Sequence, residues 1–224
     1  MSRWKHCLDV MILKMSGITL LSKLCTIVLF AVDCNYAFKH IGWEMMKVAK
    51  KTKSLAPKQC GSRKSHRAID LTMNKALTYD LFCQPKWVSA VCSNDAKSCY
   101  NLIGHTQASL CMQQMGVPWA TVDCLFITLQ EAKNFVRTDF RDLIESYGGT
   151  SWLIPIHGIY QGNGAGPAIW VVVTTPLLNI LWEKGYGISW AYPISQRTIH
   201  FAGYAFVDAT DLVQMMKYFY WSQT

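Results

Sequence analysis

A chain of 224 residues, 51% hydrophobic and only 16% charged, has enough apolar surface for one good core, or one domain plus part of another. That balance excludes a disordered chain. The net charge of +8 is lopsided: residues 1–80 hold 14 Lys and Arg against 5 Asp and Glu, and the remainder is near neutral, so contact with a polyanion is expected in the N-terminal part. None of the nine cysteines forms a Cys-x-x-Cys pair, and no His-x(3–5)-His occurs, which argues against zinc. Their odd number and irregular spacing argue against a secreted disulfide framework, so an intracellular protein with reduced thiols is expected, nucleus or cytoplasm left open.

In chain order, Arg3 and Lys5 followed by an apolar 10–13 make a weak signal-peptide pattern without a clean cleavage site. Val10–Val32 tempts a membrane reading, but Lys14 and Lys23 interrupt it, so a buried strand or helix is expected there and no membrane association. Leu24–Val32 reads as a buried strand. Tyr36–Lys50 spaces Phe38, Ile41, Met45, Met46 and Val48 as an amphipathic helix. Residues 51–67 form a basic loop punctuated by Pro57 and Gly61, and a second helix is expected from about Ala68 to Cys83. Val88–Cys92 reads as a strand delivering Asp95, Cys99–Met115 as a helix, and Ala120–Ala132 as another. Ile154–Tyr160 leads into a glycine-rich loop, Gln161–Pro167. Ala168–Trp182 is ambiguous: Val171–Val173 and Thr174–Thr175 favour a strand, and its length favours a helix. Ile199–Val207 reads as one strand containing Gly203, and Leu212–Thr224 as a short aromatic tail.

Asp95 and Asp208 each follow an apolar run, with the pliable loop between them in sequence. Nucleotidyl transfer uses two divalent ions about 3.5–4 Å apart, and the carboxylates that hold them must come from different strands. Magnesium suits such a site because it prefers oxygen ligands and keeps several waters. An isolated Asp after a strand is commonly a turn former or helix cap, so the weight rests on the ordered trio of segments.

That trio resembles the reverse-transcriptase domain of eukaryotic retrotransposons, from about residue 17 to residue 213. Ser93-Asn94-Asp95-Ala96-Lys97-Ser98-Cys99-Tyr100 is similar to the family's first palm motif. The resemblance makes Asp95 a catalytic metal ligand and Tyr100 the aromatic residue beneath the incoming sugar. Gln161-Gly162-Asn163-Gly164 resembles the loop that contacts template base and nucleotide, which implies nucleotide-binding roles for Gln161, Gly162 and Gly164. Phe206-Val207-Asp208 looks like the hairpin motif that supplies the second catalytic ligand, Asp208, and Leu55–Lys64 like the fingers segment before it. The implied fold is α+β: reverse-transcriptase-like fingers over residues 1–87, an incomplete palm over 88–224 whose antiparallel sheet is backed by helices, and no thumb. The implied activity is RNA-directed DNA polymerisation with two Mg2+ ions, on an RNA or DNA template-primer and deoxynucleotides.

The chain also departs from the family. Ala209 replaces the second of two adjacent hairpin aspartates, Asn101 stands where the family usually has aspartate, and Cys25 where it has a phosphate-binding arginine. Trp43, Trp87 and Trp182, and similarly Trp119, stand where related sequences carry arginine or another polar residue; Arg codons become Trp or Cys codons by single cytosine-to-thymine changes. A degenerate copy with impaired or lost activity is therefore expected. The alternative is a non-catalytic nucleic-acid-binding remnant that holds backbone phosphate through Lys39, Arg63, Lys64 and Arg67, helped by Lys47, Lys50 and Lys51.

Overall fold

The computed structural model describes residues 2–14, 20, 24–84, 86, 88–138, 140–149, 157–191 and 197–215. After a 3-10 turn at Ser2–Lys5 come β1 (His6–Leu13), β2 (Leu24–Leu29), α1 (Val32–Lys51), α2 (Ala68–Cys83) and β3 (Ser89–Asp95). A 3-10 turn at Cys99–Leu102 leads to α3 (His105–Gln114), α4 (Trp119–Gln130), β4 (Lys133–Arg137) and β5 (Asp142–Gly148). The chain continues through α5 (Gly166–Glu183), β6 (Ile188–Ala191), β7 (Thr198–Phe201), β8 (Gly203–Phe206) and β9 (Ala209–Met215). No helix among the described residues is long and apolar enough to cross a membrane. Contacts divide the chain into two units that interleave in sequence: Met1–Ser54 with Ser98–Val173, and Leu55–Lys97 with Thr174–Thr224.

The first unit is built on a four-stranded sheet in the order β2-β1-β4-β5, where β1 is antiparallel to β2 and parallel to β4. Successive strand residues face opposite sides, and β1 turns Cys7 and Asp9 inward, both fully buried. Helix α1 buries Cys34, Phe38, Gly42, Met45 and Ala49, the stripe that spacings of three and four produce. In α4, Val122, Leu125, Phe126 and Leu129 do the same.

The second unit holds a three-stranded antiparallel sheet, β3-β9-β8, and the hairpin β6-β7. On one sheet face Tyr204 and Val213 pack with Leu71 and Phe82 of α2, Cys60 and Ile188. The Thr78 and Tyr204 hydroxyls, 2.7 Å apart, share a hydrogen bond in that core. On the other face Ala205 packs with Ala56 and with Leu178 of α5.

Several expectations change. Cys99–Met115 is not one helix, because Gly104 is extended (φ −70°, ψ 129°) and separates the 3-10 turn from α3. Ile199–Val207 is not one strand: it breaks at Ala202, and β7 and β8 join different sheets. Leu24–Val32 ends as a strand at Leu29, and only Val28 in it is buried. Ala168–Trp182 is helical, with Pro176 inside. The apolar tail begins as a true strand, β9; β4, β5, β6 and the first half of β1 were not foreseen. Trp43, Trp119 and Trp182 are 65%, 61% and 41% exposed, so they do not serve as core; Trp87 lies outside the described residues.

Candidate functional site

Strand β3 pairs with β9 so that Asp95 stands opposite Ala209, Ser93 opposite Asp211 and Val91 opposite Val213. Strands β8 and β9 form a hairpin closed by the Phe206–Ala209 pair, which leaves Val207 and Asp208 as its two-residue turn. The Ala96 N–H donates to the Asp208 carbonyl at 3.1 Å and fixes the end of β3 to that turn. Asp95, at the last position of β3, and Asp208, in the turn, therefore occupy the same end of one sheet. Asp95 is exposed and Asp208 half-buried.

The turn is held under constraint. Val207 has φ +52°, a left-handed conformation that costs an L-residue roughly 1–2 kcal/mol. Gly61 lies against it so closely that a Cβ there would come within 2.3 Å of the Val207 nitrogen. The basic loop thus buttresses the hairpin, joined further by the Cys60 N–H to Ala205 carbonyl bond (2.8 Å) and the Ala205 N–H to Lys58 carbonyl bond (3.0 Å).

Alternation places Asp211 on the same face as Ala209 and Asp95, so it does not point away as a residue beyond a turn would. Its carboxylate is committed nonetheless. Asp211 is 4% exposed, pairs with the Lys75 ammonium of α2, and accepts a 2.5 Å hydrogen bond from the Ser93 hydroxyl. Neither Lys75 nor Ser93 carried a role in the sequence reading. Among the described residues no group of three His, Cys, Asp or Glu side chains is arranged to hold a metal ion.

The glycine loop lies in the first unit. The Val28 N–H donates to the Gln161 carbonyl at 2.7 Å, and the Cys25 thiol donates to Gln161 Oε1 at 3.1 Å. Asn35 of α1 clamps the loop from the other side: its Nδ2 donates to the Gly162 carbonyl at 3.2 Å, and its Oδ1 accepts from the Gly164 N–H at 2.7 Å. Gly162 needs to be glycine twice over, since its φ is +116° and a Cβ would sit 2.2 Å from the Val28 carbonyl oxygen. Lys39, one helical turn after Asn35, is exposed beside Gly164. Tyr100 sits on the 3-10 turn, held by the bond from the Ile159 N–H to its carbonyl (2.8 Å), with its ring edge-on to Trp170 and in van der Waals reach of Gly166. The fold thus gathers Tyr100, Gln161, Gly162, Gly164 and Lys39 around one loop.

The remaining basic candidates differ among themselves. Arg63 is half-buried, and its Nη1 donates to the carbonyls of Ala56, Pro57 and Gln59, so it braces the loop. Lys64 and Arg67 are exposed. Asn35 was the notable omission of the sequence reading: a polar residue on a helix face carries no signal until its partner loop is in place.

Burial shifts the enclosed titratable groups of the first unit. It raises Asp9 above the usual carboxylate range, against the Tyr147 hydroxyl bond that lowers it, and pushes the Cys7 thiol up to about 12. Burial also lowers His105, a shift opposed by its bond to the Gly158 carbonyl.

No family model matches the chain, and no curated protein matches it in sequence. Solved structures match it in fold. Telomerase from Candida tropicalis in complex with the TWJ fragment of telomeric RNA superposes with a TM-score of 0.61 at 8% identity, over 96% of this chain and 37% of that one. The apo enzyme from the same species, truncated from its C-terminal domain, gives 0.55 at 11% identity over 96% and 44%. Telomerase from Candida albicans with the same RNA fragment gives 0.54 at 10% identity over 93% and 38%. The chain spans about two fifths of the length of these telomerases. Its mixed α/β architecture is similar in fold to part of these telomerases.

Proposed function

We propose that this chain is a reverse-transcriptase-domain protein of a retroelement, built for template-directed nucleotidyl transfer and impaired or inactive in this copy. The observation that carries the proposal is the register that sets Asp95 beside the hairpin turn bearing Asp208, with Ala209 directly opposite Asp95. In this reading the β3-β9-β8 sheet lies in the palm, residues 88–224, and β1, β2 and α1 lie in the fingers, residues 1–87. Asp95 and Asp208 suffice for one magnesium ion, which is content with two carboxylates and water. They do not suffice for two, because Ala209 offers no side-chain carboxylate and Asp211 is held by Lys75 and Ser93. A magnesium ion bound there would supply positive charge to phosphate oxygens. Tyr100 and Gln161 would position the nucleotide, and Asn35 would hold the glycine loop in shape beneath it. Cys25 donates a single weak hydrogen bond to Gln161, where an arginine would offer a charged fork to phosphate. The surface tryptophans 43, 119 and 182 fit loss of arginine from exposed positions, and CpG retained at those codons in sister copies is what this history requires.

Primer extension on an RNA template with magnesium tests the proposal. The natural chain should give trace extension or none, and Ala209→Asp should raise it; no extension by either leaves the nucleic-acid-binding remnant. That reading has its own test: filter binding at two salt concentrations, where Lys64→Ala and Arg67→Ala should each flatten the salt dependence by about one phosphate contact.

A further inference from the structure

Helix α2 is apolar on two sides. Its inward side packs on the β3-β9-β8 sheet through Leu71 and Phe82, with the Thr78 hydroxyl bonded to that of Tyr204. Its outward side carries Ile69, Met73 and Leu77, which are 57%, 59% and 58% exposed. Residues four apart share a helix face, so these three make one stripe. Ile69 and Met73 each stand two residues from Leu71, a rotation of about 200°, which turns them away from the sheet. Ala76, exposed beside Leu77, leaves room for a second helix to come close. A helix apolar on both sides is normally enclosed in a larger core, so the outward stripe is a face that another surface covers.

The order of residues along the stripe identifies that surface. Its apolar stretch runs from Ile69 to Leu77, with Met73 at the midpoint. His66 and Arg67 precede the stretch and Asp80 follows it, all three exposed. Turned about a two-fold axis through Met73, the stripe is its own complement in both shape and charge. Met73 meets the partner's Met73, Ile69 meets the partner's Leu77, and Arg67 comes within reach of the partner's Asp80. Antiparallel helices also bring opposite dipole ends together. A membrane surface suits the stripe less well, because Asp70 and Asp80 flank it and anionic headgroups would repel them. We infer that α2 pairs antiparallel with α2 of a second copy of this chain across Ile69, Met73 and Leu77, an isologous two-fold contact. The helix rises only about 12 Å over that stretch, which puts the contact at the small end of specific interfaces. Reversible association with a dissociation constant on the order of 10–100 μM is therefore expected.

The pairing stands apart from the polymerase reading, since it involves neither carboxylate of the hairpin site and no magnesium. Sedimentation velocity of the full chain between about 5 and 500 μM tests it, in EDTA and with reductant to keep the exposed cysteines from linking copies. The natural chain should move from monomer towards dimer as its concentration rises. Met73→Arg sets two cations together on the axis and should hold the chain monomeric throughout. Its melting temperature in dilute solution should stay within about 2 °C of the natural chain's, because the position is exposed. Arg67→Asp and Asp80→Arg should each weaken association about 3- to 30-fold, and the double exchange should restore it, a recovery that only this register produces. A monomer at every concentration, a dimer that Met73→Arg leaves intact, or a double exchange that recovers nothing would each overturn the pairing. Binding of a monomer to phosphatidylserine vesicles in place of self-association would overturn it too, and would give the stripe to a membrane.

Discussion

Restoring the missing acid by Ala209→Asp has a consequence for stability that can be worked out before any catalysis is measured. Ala209 faces Asp95 directly across β9 and β3, and both positions are exposed. Directly opposed residues hold their Cβ atoms about 4.5–5.5 Å apart. Two like charges at about 5 Å repel by about 1 kcal/mol in water and about 3 kcal/mol at the permittivity typical of a protein surface. Exposure and salt favour the lower figure. In a chain of this size that lowers the melting temperature by about 2–4 °C in EDTA. A divalent ion bound between the carboxylates reverses the sign: at about a hundred times its dissociation constant it adds about 2.7 kcal/mol. The assay is thermal unfolding of the natural chain and of Ala209→Asp, each with EDTA and with magnesium. The variant should melt lower than the natural chain in EDTA and gain more from magnesium. Equal magnesium shifts in the two proteins would refute the claim that position 209 and Asp95 face a common ion.

Gly61→Ala should lower stability by about 1–3 kcal/mol, since its Cβ would meet Val207 backbone rather than a yielding side chain; an unchanged denaturant midpoint would show that the loop does not buttress the hairpin. Lys75→Met leaves the buried Asp211 carboxylate without its cation and should cost about 3–5 kcal/mol, with most of the loss recovered in the Lys75→Met/Asp211→Leu double variant. His105 supplies the pH dependence. In the folded state Gln130 Nε2 donates to its Nδ1 and its Nε2 donates to Gly158, the neutral tautomer, and its pKa lies below the ordinary value of 6.5. The unfolded chain takes up the proton first, so stability is full above about 6.5 and falls as pH drops through and below it. Denaturant midpoints at pH 7.5 and 5.5 should therefore fall further for the natural chain than for His105→Gln.

Periodicity disclosed α1, which extends the expected Tyr36–Lys50 by a turn at its start. Helix α2 runs from Ala68 to Cys83 as expected, yet it exposes Ile69 and Leu77 and buries Leu71, Thr78 and Phe82. Buried polar residues hid the strands. Asp9 in β1 and Asp211 in β9 sit at inward positions, so each strand read as broken polar sequence. β5 is exposed at every position from Asp142 to Gly148 and has no alternation to detect. At the site, residue type and order pointed to Asp95, Asp208 and the loop. Asn35 and Gly61, which brace the loop and the hairpin turn, and Ser93 and Lys75, which hold Asp211, could not be read, because each acts on a residue distant in sequence.

The interleaving of the two units bears on how the protein is made. Ser89 pairs with Met215 and Asp95 with Ala209, so β3 emerges from the ribosome long before its sheet neighbour β9 has been synthesised. Until then it is an open strand edge, the kind of surface on which nascent chains associate wrongly. Pairings between segments so far apart close slowly, because a long loop must be ordered before any contact rewards it. The end of the sheet that carries both acids thus takes shape only once β9 has been made, and a chaperone holding the newborn chain would guard β3 until then.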